Sequence, residues 1–164
     1  MKTYNKIPVA LVATALAVGA LLLAPPASEA QLHVGGQGSW GSETDLGVGA
    51  RLLANVESAN LEIVGSGNLF FPDGNIDFWE VNGNLFYHFH LEENPRVLPY
   101  VGGGLNISRV SNGFDNTEAG LNLGGGVRFP LENVSPFAEF RTVLSDQDQT
   151  VFTIGLIFGH AHGR

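Results

Sequence analysis

The segment from Pro99 to Phe129 alternates strictly between two kinds of residue on both sides of a turn rich in Gly and Asn. Its first arm places one apolar set on one face: Pro99, Val101, Leu105 and Ile107. Its second arm does the same with Ala119, Leu121, Leu123, Val127 and Phe129. A period of two residues is typical of a β-strand, because successive side chains point to opposite faces of a sheet. The segment therefore predicts a β-hairpin, and the fold depends on which face of it points outward.

The first 30 residues have the features of a secretory signal peptide. Lys2 and Lys6 supply a positive start, an apolar run follows over Ile7–Ala24, and two prolines end that run. Ser28-Glu29-Ala30 fits a cleavage site with small residues on either side of a variable one. We therefore expect residues 1–30 to be a cleaved signal peptide and residues 31–164 to form one domain. An uncleaved membrane anchor is the alternative.

The composition of residues 31–164 narrows the choice of partners. The sequence has no Cys, which excludes disulfides and thiolate metal sites. Both lysines lie in the signal segment, so six Arg face fifteen Asp and Glu, for a net charge near −9 with His neutral. We expect no nucleic-acid partner, because binding phosphates requires a basic surface. The lack of Lys is also unusual for a surface that faces water.

Eight candidate strands follow Gln31, and short stretches rich in Gly, Pro, Asn, Asp or Ser separate them. Most candidate strands have about 9–12 residues, the length that crosses a bilayer when a strand is tilted. The predicted strands are Leu32–Trp40, Leu46–Asn55, Leu61–Phe71, Ile76–His90, Val97–Ser108, Glu118–Phe129, Ser135–Leu144 and Thr150–Phe158.

Two kinds of barrel fit these strands. A soluble, lipocalin-like barrel places its apolar face inside, around a ligand, whereas a membrane barrel places that face outside. Glycine, Asn and charges of both signs on the polar face, and aromatic residues near the strand ends of the apolar face, favour the membrane barrel. Trp79, Leu85 and Phe140 distinguish the two, since they face lipid in one barrel and line the cavity in the other.

Six charged residues share the polar face and are the candidate site. Because opposite charges are tolerated in a narrow interior only when they are matched, we expect a structural ion-pair network. Its members are Arg51, Glu62, Glu80, Arg128, Glu139 and Arg141. A charged constriction for small ions is the alternative.

The sequence contains two His-x-His pairs, a spacing that can bind zinc together with a third ligand. His88 and His90 are two residues apart on one predicted strand, so we expect them on one face near Glu80, as polar residues of the interior or its mouth. His160 and His162 lie in the C-terminal tail, where a solvated end is expected. No His-x-Ser pair lies on a strand, and the Gly-rich stretches lack the Lys-Ser/Thr of a phosphate loop. We therefore predict no catalytic residue, no cofactor and no metal, and expect that the chain is not an enzyme.

The hairpin, together with PFAEFRTVL and VFTIGLIFG after it, resembles the small outer-membrane β-barrel family of OmpX and the OmpA barrel domain. The resemblance implies an eight-stranded antiparallel up-and-down transmembrane barrel in the outer membrane, with both termini in the periplasm. It also implies that the barrel-assembly machinery recognises the last strand, whose apolar residues are Phe152, Ile154, Leu156 and Phe158. Unlike the family pattern, the chain continues past this strand as GHAHGR.

These observations predict a monomeric outer-membrane barrel that contacts lipid and has a structural or surface-interaction role. An eight-stranded barrel is just wide enough for its own side chains, so no wide pore is expected. The alternative is a soluble exported barrel that binds a small apolar ligand.

Overall fold

The computed structural model describes residues 30–56, 59–72, 77–111, 115–145 and 148–159. Residues 1–29, most of the expected signal peptide, and residues 160–164, which hold His160 and His162, lie outside the described residues. The described part consists of eight β-strands: β1 Ala30–Gly41, β2 Asp45–Val56, β3 Leu61–Phe70, β4 Asp77–His88, β5 Leu98–Ser111, β6 Asp115–Arg128, β7 Val134–Leu144 and β8 Gln149–Phe158. Within these residues no helix is long and apolar enough to span a membrane.

The eight predicted strands are confirmed, with differences at their ends. β5 continues to Ser111 and β6 starts at Asp115, so each arm of this hairpin extends three residues further towards the turn than predicted, and each is one residue shorter at its other end. β4 ends at His88, two residues before the predicted end. The polar residues between strands suit tight turns. Asp45 and Asn60 adopt φ of 57° and 53°, in the left-handed region that Asp and Asn tolerate best after Gly.

The strands form one closed antiparallel barrel in sequence order, and β1 pairs with β8 to close it. The pairing is staggered around the barrel. Moving from Ala30 to its Cα partner on each next strand returns to β1 at Trp40, ten residues further along, by way of Val56, Leu61, Tyr87, Val101, Gly125, Phe140 and Phe152. Such a stagger corresponds to a strand tilt of about 40°. Strands of this length then give a wall about 25 Å high.

The structure places the apolar face outside. Leu85 is 48% exposed and Phe140 is 55% exposed, while Trp79 is half-buried. The polar face points inward, where most of its charged and Asn side chains are buried, among them Arg51, Glu80 and Asn106. The lipocalin-like alternative is therefore wrong in its orientation, because it requires Leu85 and Phe140 to line the interior.

Candidate functional site

The outer surface of the barrel is almost free of charge. Among the outward-facing strand residues whose side chains the structure describes, Arg109 at the end of β5 carries the only charge. Large apolar side chains cover the rest of this surface, and most are 40–66% exposed, such as Leu32 and Leu105. Soluble monomers rarely expose a continuous apolar area of this extent, so this surface requires an apolar environment.

Aromatic side chains lie towards both ends of the outer surface. Trp40, Phe71 and Trp79 lie at the end of the barrel away from the chain termini. At the opposite end, the Tyr87 and Phe89 rings pack edge to face with centroids 5.2 Å apart, Phe129 directly follows β6, and Phe158 ends β8. Two aromatic girdles around an apolar band about 25 Å high are typical of a barrel that crosses a bilayer.

Among the described residues, the interior holds three Arg–Glu ion pairs. The first lies near the chain termini, where Arg128 donates two hydrogen bonds to Glu62, from Nη1 at 2.6 Å and from Nη2 at 2.7 Å. Glu62 is fully buried. His88 Nε2 lies 3.5 Å from Glu62 Oε1, which is too long for a strong hydrogen bond. Because both carboxylate oxygens already accept from Arg128, Glu62 is neutralised without His88.

The second ion pair lies at mid-height and connects several strands. Arg51 on β2 donates from Nη1 to Glu139 on β7 at 3.1 Å, and from Nε to Gln37 on β1 at 2.5 Å. The Tyr100 hydroxyl on β5 also donates to Glu139, at 3.1 Å. The Arg51 guanidinium stacks 3.9 Å above the centre of the Phe137 ring. Four strands thus fix one buried pair of charges.

The third ion pair, Arg141 and Glu80, lies inside a cluster of asparagines. Arg141 Nη2 donates to Glu80 Oε1 at 2.5 Å. The amides of three asparagines donate to the same carboxylate at 2.8–3.1 Å: Asn68, Asn82 and Asn106. Asn82 in turn accepts hydrogen bonds at its Oδ1 from Arg141, Asn106 and Asn122. Gln37 donates to Asn68 at 2.6 Å, which joins this cluster to the Arg51 pair.

Two apolar clusters share the lumen with these polar groups, the first between the Arg128–Glu62 and Arg51–Glu139 pairs and the second at the end away from the termini. One contains Leu53, Val64, Phe86, Tyr100, Phe137 and Ile157, on the side of the chain termini. The other contains Phe70, Phe78 and Val151, with Val110 packed against it, at the opposite end. The lumen of the described barrel is therefore filled along its height by its own side chains.

All six sequence-predicted site residues lie buried in this lumen, and the structure pairs them as Arg51–Glu139, Arg128–Glu62 and Arg141–Glu80. The sequence did not indicate these pairings. The expectation that His88 and His90 lie near Glu80 is wrong: His88 lies beside Glu62, and His90 is exposed beyond the end of β4. Residues 80 and 88 are eight positions apart on one extended strand, about 26 Å. Across the described ranges no three His, Asp or Glu side chains form a group that could hold a metal ion.

The asparagine cluster and Gln37 are the parts of the site that the sequence reasoning missed. The alternation predicts Asn on the polar face, but it indicates no role for the individual residues. The available signal was the repetition of Asn at alternate positions of β4, at Asn82 and Asn84, opposite Asn106 on β5. Amides at such positions supply both donors and acceptors to a buried carboxylate and guanidinium.

Solved structures with the same architecture are outer-membrane proteins. The N-terminal β-barrel domain of Pseudomonas aeruginosa OprF matches with a TM-score of 0.65 and 16% identity, covering 79% of this chain and 98% of that one. The chain has the fold of the small outer-membrane β-barrels. Neisserial surface protein A (NspA) matches this barrel with a TM-score of 0.59 and 18% identity, covering 82% of this chain and 99% of that one. Ail, the attachment invasion locus protein of Yersinia pestis, matches it with a TM-score of 0.58 and 19% identity over 79% and 96%.

Comparisons with protein-family models and with curated protein sequences give no match. At identities of 16–19% the structural likeness establishes the outer-membrane barrel fold, and the role of this barrel has to be argued from its own residues.

Proposed function

We propose that the chain is an exported outer-membrane protein that contributes to the envelope as a closed, filled barrel, without a wide pore. The observation that carries this proposal is the outer surface, where a belt of apolar side chains surrounds a closed barrel whose charges are buried inside. Apolar surface is stable in contact with lipid, and closure satisfies the hydrogen bonds of every strand edge in a medium without water. The outer membrane is therefore the proposed location, with residues 1–30 as the export signal.

The contents of the lumen support a structural role. An eight-stranded barrel leaves an interior about as wide as its side chains. Here three ion pairs, an asparagine cluster and two apolar clusters occupy that interior. The polar side chains bond to one another instead of facing a cleft, which supports the proposals that the barrel passes no large solute and is not an enzyme.

The ends of the barrel do not favour a role in attachment. At the end away from the termini, the connections between strands are three to six residues long, at 42–44, 71–76, 112–114 and 145–148. Connections of so few residues contribute little surface beyond the strands, so the attachment that names Ail is not carried over to this chain. A surface contact through the rim of these turns remains compatible with the structural role.

The proposed partners follow from the same surfaces. Outer-membrane lipid would cover the apolar belt, and the near absence of charge on its described residues, where Arg109 carries the only one, supports a monomer. The barrel-assembly machinery would recognise β8, whose outward residues Phe152, Ile154, Leu156 and Phe158 alternate with inward ones.

Fractionation of cells that express the full-length chain tests this proposal. Outer-membrane samples are separated by SDS-PAGE with and without heating, because closed barrels resist SDS until they are heated. The proposal predicts that the protein is in the outer-membrane fraction and that its migration changes on heating. A soluble periplasmic or secreted protein with one migration position would contradict it.

A further inference from the structure

Six side chains form a continuous apolar layer across the lumen on the side of the chain termini. We name this layer the septum; it consists of Leu53, Val64, Phe86, Tyr100, Phe137 and Ile157. Its members come from six of the eight strands, β2, β3, β4, β5, β7 and β8. Each is 1–5% exposed, and the Phe86 and Tyr100 rings pack edge to face with centroids 5.0 Å apart. The layer thus reaches nearly all the way around the barrel wall.

The two remaining strands contribute glycines at this level, and neighbouring side chains cover them. A Cβ atom on Gly126 of β6 would lie 2.6 Å from the Tyr100 hydroxyl oxygen and 2.7 Å from Cζ of the same ring. A Cβ atom on Gly35 of β1 would lie 3.2 Å from Cγ of Arg51 and 3.3 Å from Cγ1 of Ile157. The glycines therefore leave no gap, because large side chains of the layer and the aliphatic part of Arg51 fill the space beside them.

An ion pair lies against each side of the septum. On the side of the termini, the Arg128 guanidinium is 5.8 Å from the centre of the Tyr100 ring and bonds to Glu62. On the other side, Arg51 stacks on Phe137 and bonds to Glu139. Each pair is internally neutral, so neither leaves a net charge that would draw water through the apolar layer.

We infer that the septum, and not the ion pairs, is the barrier that closes this lumen to water and ions. Apolar constrictions block conduction by excluding water, whereas hydrogen-bonded polar groups can exchange partners with water and let it pass. The asparagine cluster is of the second kind, since each of its amides has a donor and an acceptor that water can replace. The inference rests on the proposed function, because a transmembrane barrel is needed for the barrier to separate two compartments.

The inference predicts which side chains must be removed to open the barrel. The septum variant carries Phe86→Ala and Phe137→Ala. The matched control carries the same two changes at the other apolar cluster, Phe70→Ala and Phe78→Ala, and so removes equal volume from the opposite end of the lumen. Each protein is folded into lipid vesicles, its barrel is verified by heat-dependent migration, and its ion conductance is measured in planar bilayers.

We expect conductance at the background level for the unmodified barrel and for the control, and a rise of roughly tenfold above background for the septum variant, because its apolar layer is then wide enough to hydrate. Equal conductance of control and septum variant would overturn the inference, as would a folded septum variant that stays at background. An unmodified chain that shows no heat-dependent migration would instead contradict the proposed function.

A second variant keeps the test decisive if the double truncation prevents folding. This variant carries both Leu53→Asn and Val64→Thr, which add polar groups to the septum with little change of volume. Its control carries Val143→Thr, which adds a polar group at a buried site outside both apolar clusters. Conductance that rises in the Leu53→Asn/Val64→Thr variant and not in the Val143→Thr control supports exclusion of water by the septum. Conductance that rises equally in both, or in neither, overturns it.

Discussion

Removing the Glu80 carboxylate should destabilise the barrel more than any change on its rim. Glu80 is 1% exposed and accepts hydrogen bonds from Arg141 and from three asparagine amides. In Glu80→Ala, the Arg141 guanidinium remains buried without its counter-charge, which costs about 3–5 kcal/mol. The amides that lose their acceptor add about 1 kcal/mol, because they can partly bond to one another.

Removing Arg141 should destabilise the barrel less than removing Glu80, because the Glu80 carboxylate keeps its hydrogen bonds from the asparagine amides. In Arg141→Ala, Glu80 still accepts from Asn68, Asn82 and Asn106, so we expect a loss of about 2–3 kcal/mol. The double variant leaves no unpaired charge. Its loss should therefore be smaller than the sum of the single losses by about 2 kcal/mol or more.

Urea unfolding of each variant in lipid vesicles, followed by tryptophan fluorescence, measures these free energies. Glu43→Ala on the exposed rim is the control and should change the free energy of unfolding by less than about 0.5 kcal/mol. The reasoning is refuted if Glu80→Ala costs less than about 1 kcal/mol, or if the two single losses add without coupling.

Two further predictions use the same unfolding measurement. Leu85→Arg places a charge on the outward surface within β4 and should cost about 2–4 kcal/mol, whereas Leu91→Arg beyond the end of that strand should cost about 0–1 kcal/mol; equal costs would contradict a lipid-facing belt. Gly126→Ala should destabilise the barrel by about 1–3 kcal/mol, because its Cβ would lie 2.3 Å from the Ala138 carbonyl oxygen. Gly83→Ala has no atom within 4 Å of its Cβ and should be nearly neutral, so a similar loss in both would argue against the packing.

The period-two pattern was sufficient to predict the number of strands and their faces. Parity alone sorts the residues of each strand into two sets, and the Gly, Asn and charges of both signs in one set indicate that this set faces inward. The ends were less certain where turn-forming residues continue a strand. Ser111, Asp115 and Asn116 are residue types typical of turns, yet they extend the hairpin of β5 and β6 because each arm pairs with the other.

The ion pairs could not be matched from the sequence, because their partners depend on the stagger of the closed barrel. Arg51 on β2 meets Glu139 on β7, and Arg128 on β6 meets Glu62 on β3, across the lumen and not along a ladder. A stagger of ten residues sets which strand positions reach the same height, and no local pattern carries that number. The misplacement of His88 has a different origin, since eight positions on one extended strand already separate it from Glu80 by about 26 Å.

The central claim is that lipid covers the outer surface, and the two tryptophans of the chain report on it directly. Trp40 and Trp79 both lie on the outward face, near the end away from the termini. The protein is folded into vesicles of phospholipids with brominated acyl chains, and its fluorescence is compared with that in unbrominated vesicles. The account predicts strong quenching by the bromine atoms and little quenching by iodide in the water. Fluorescence that the brominated lipids leave unchanged and iodide quenches would contradict it.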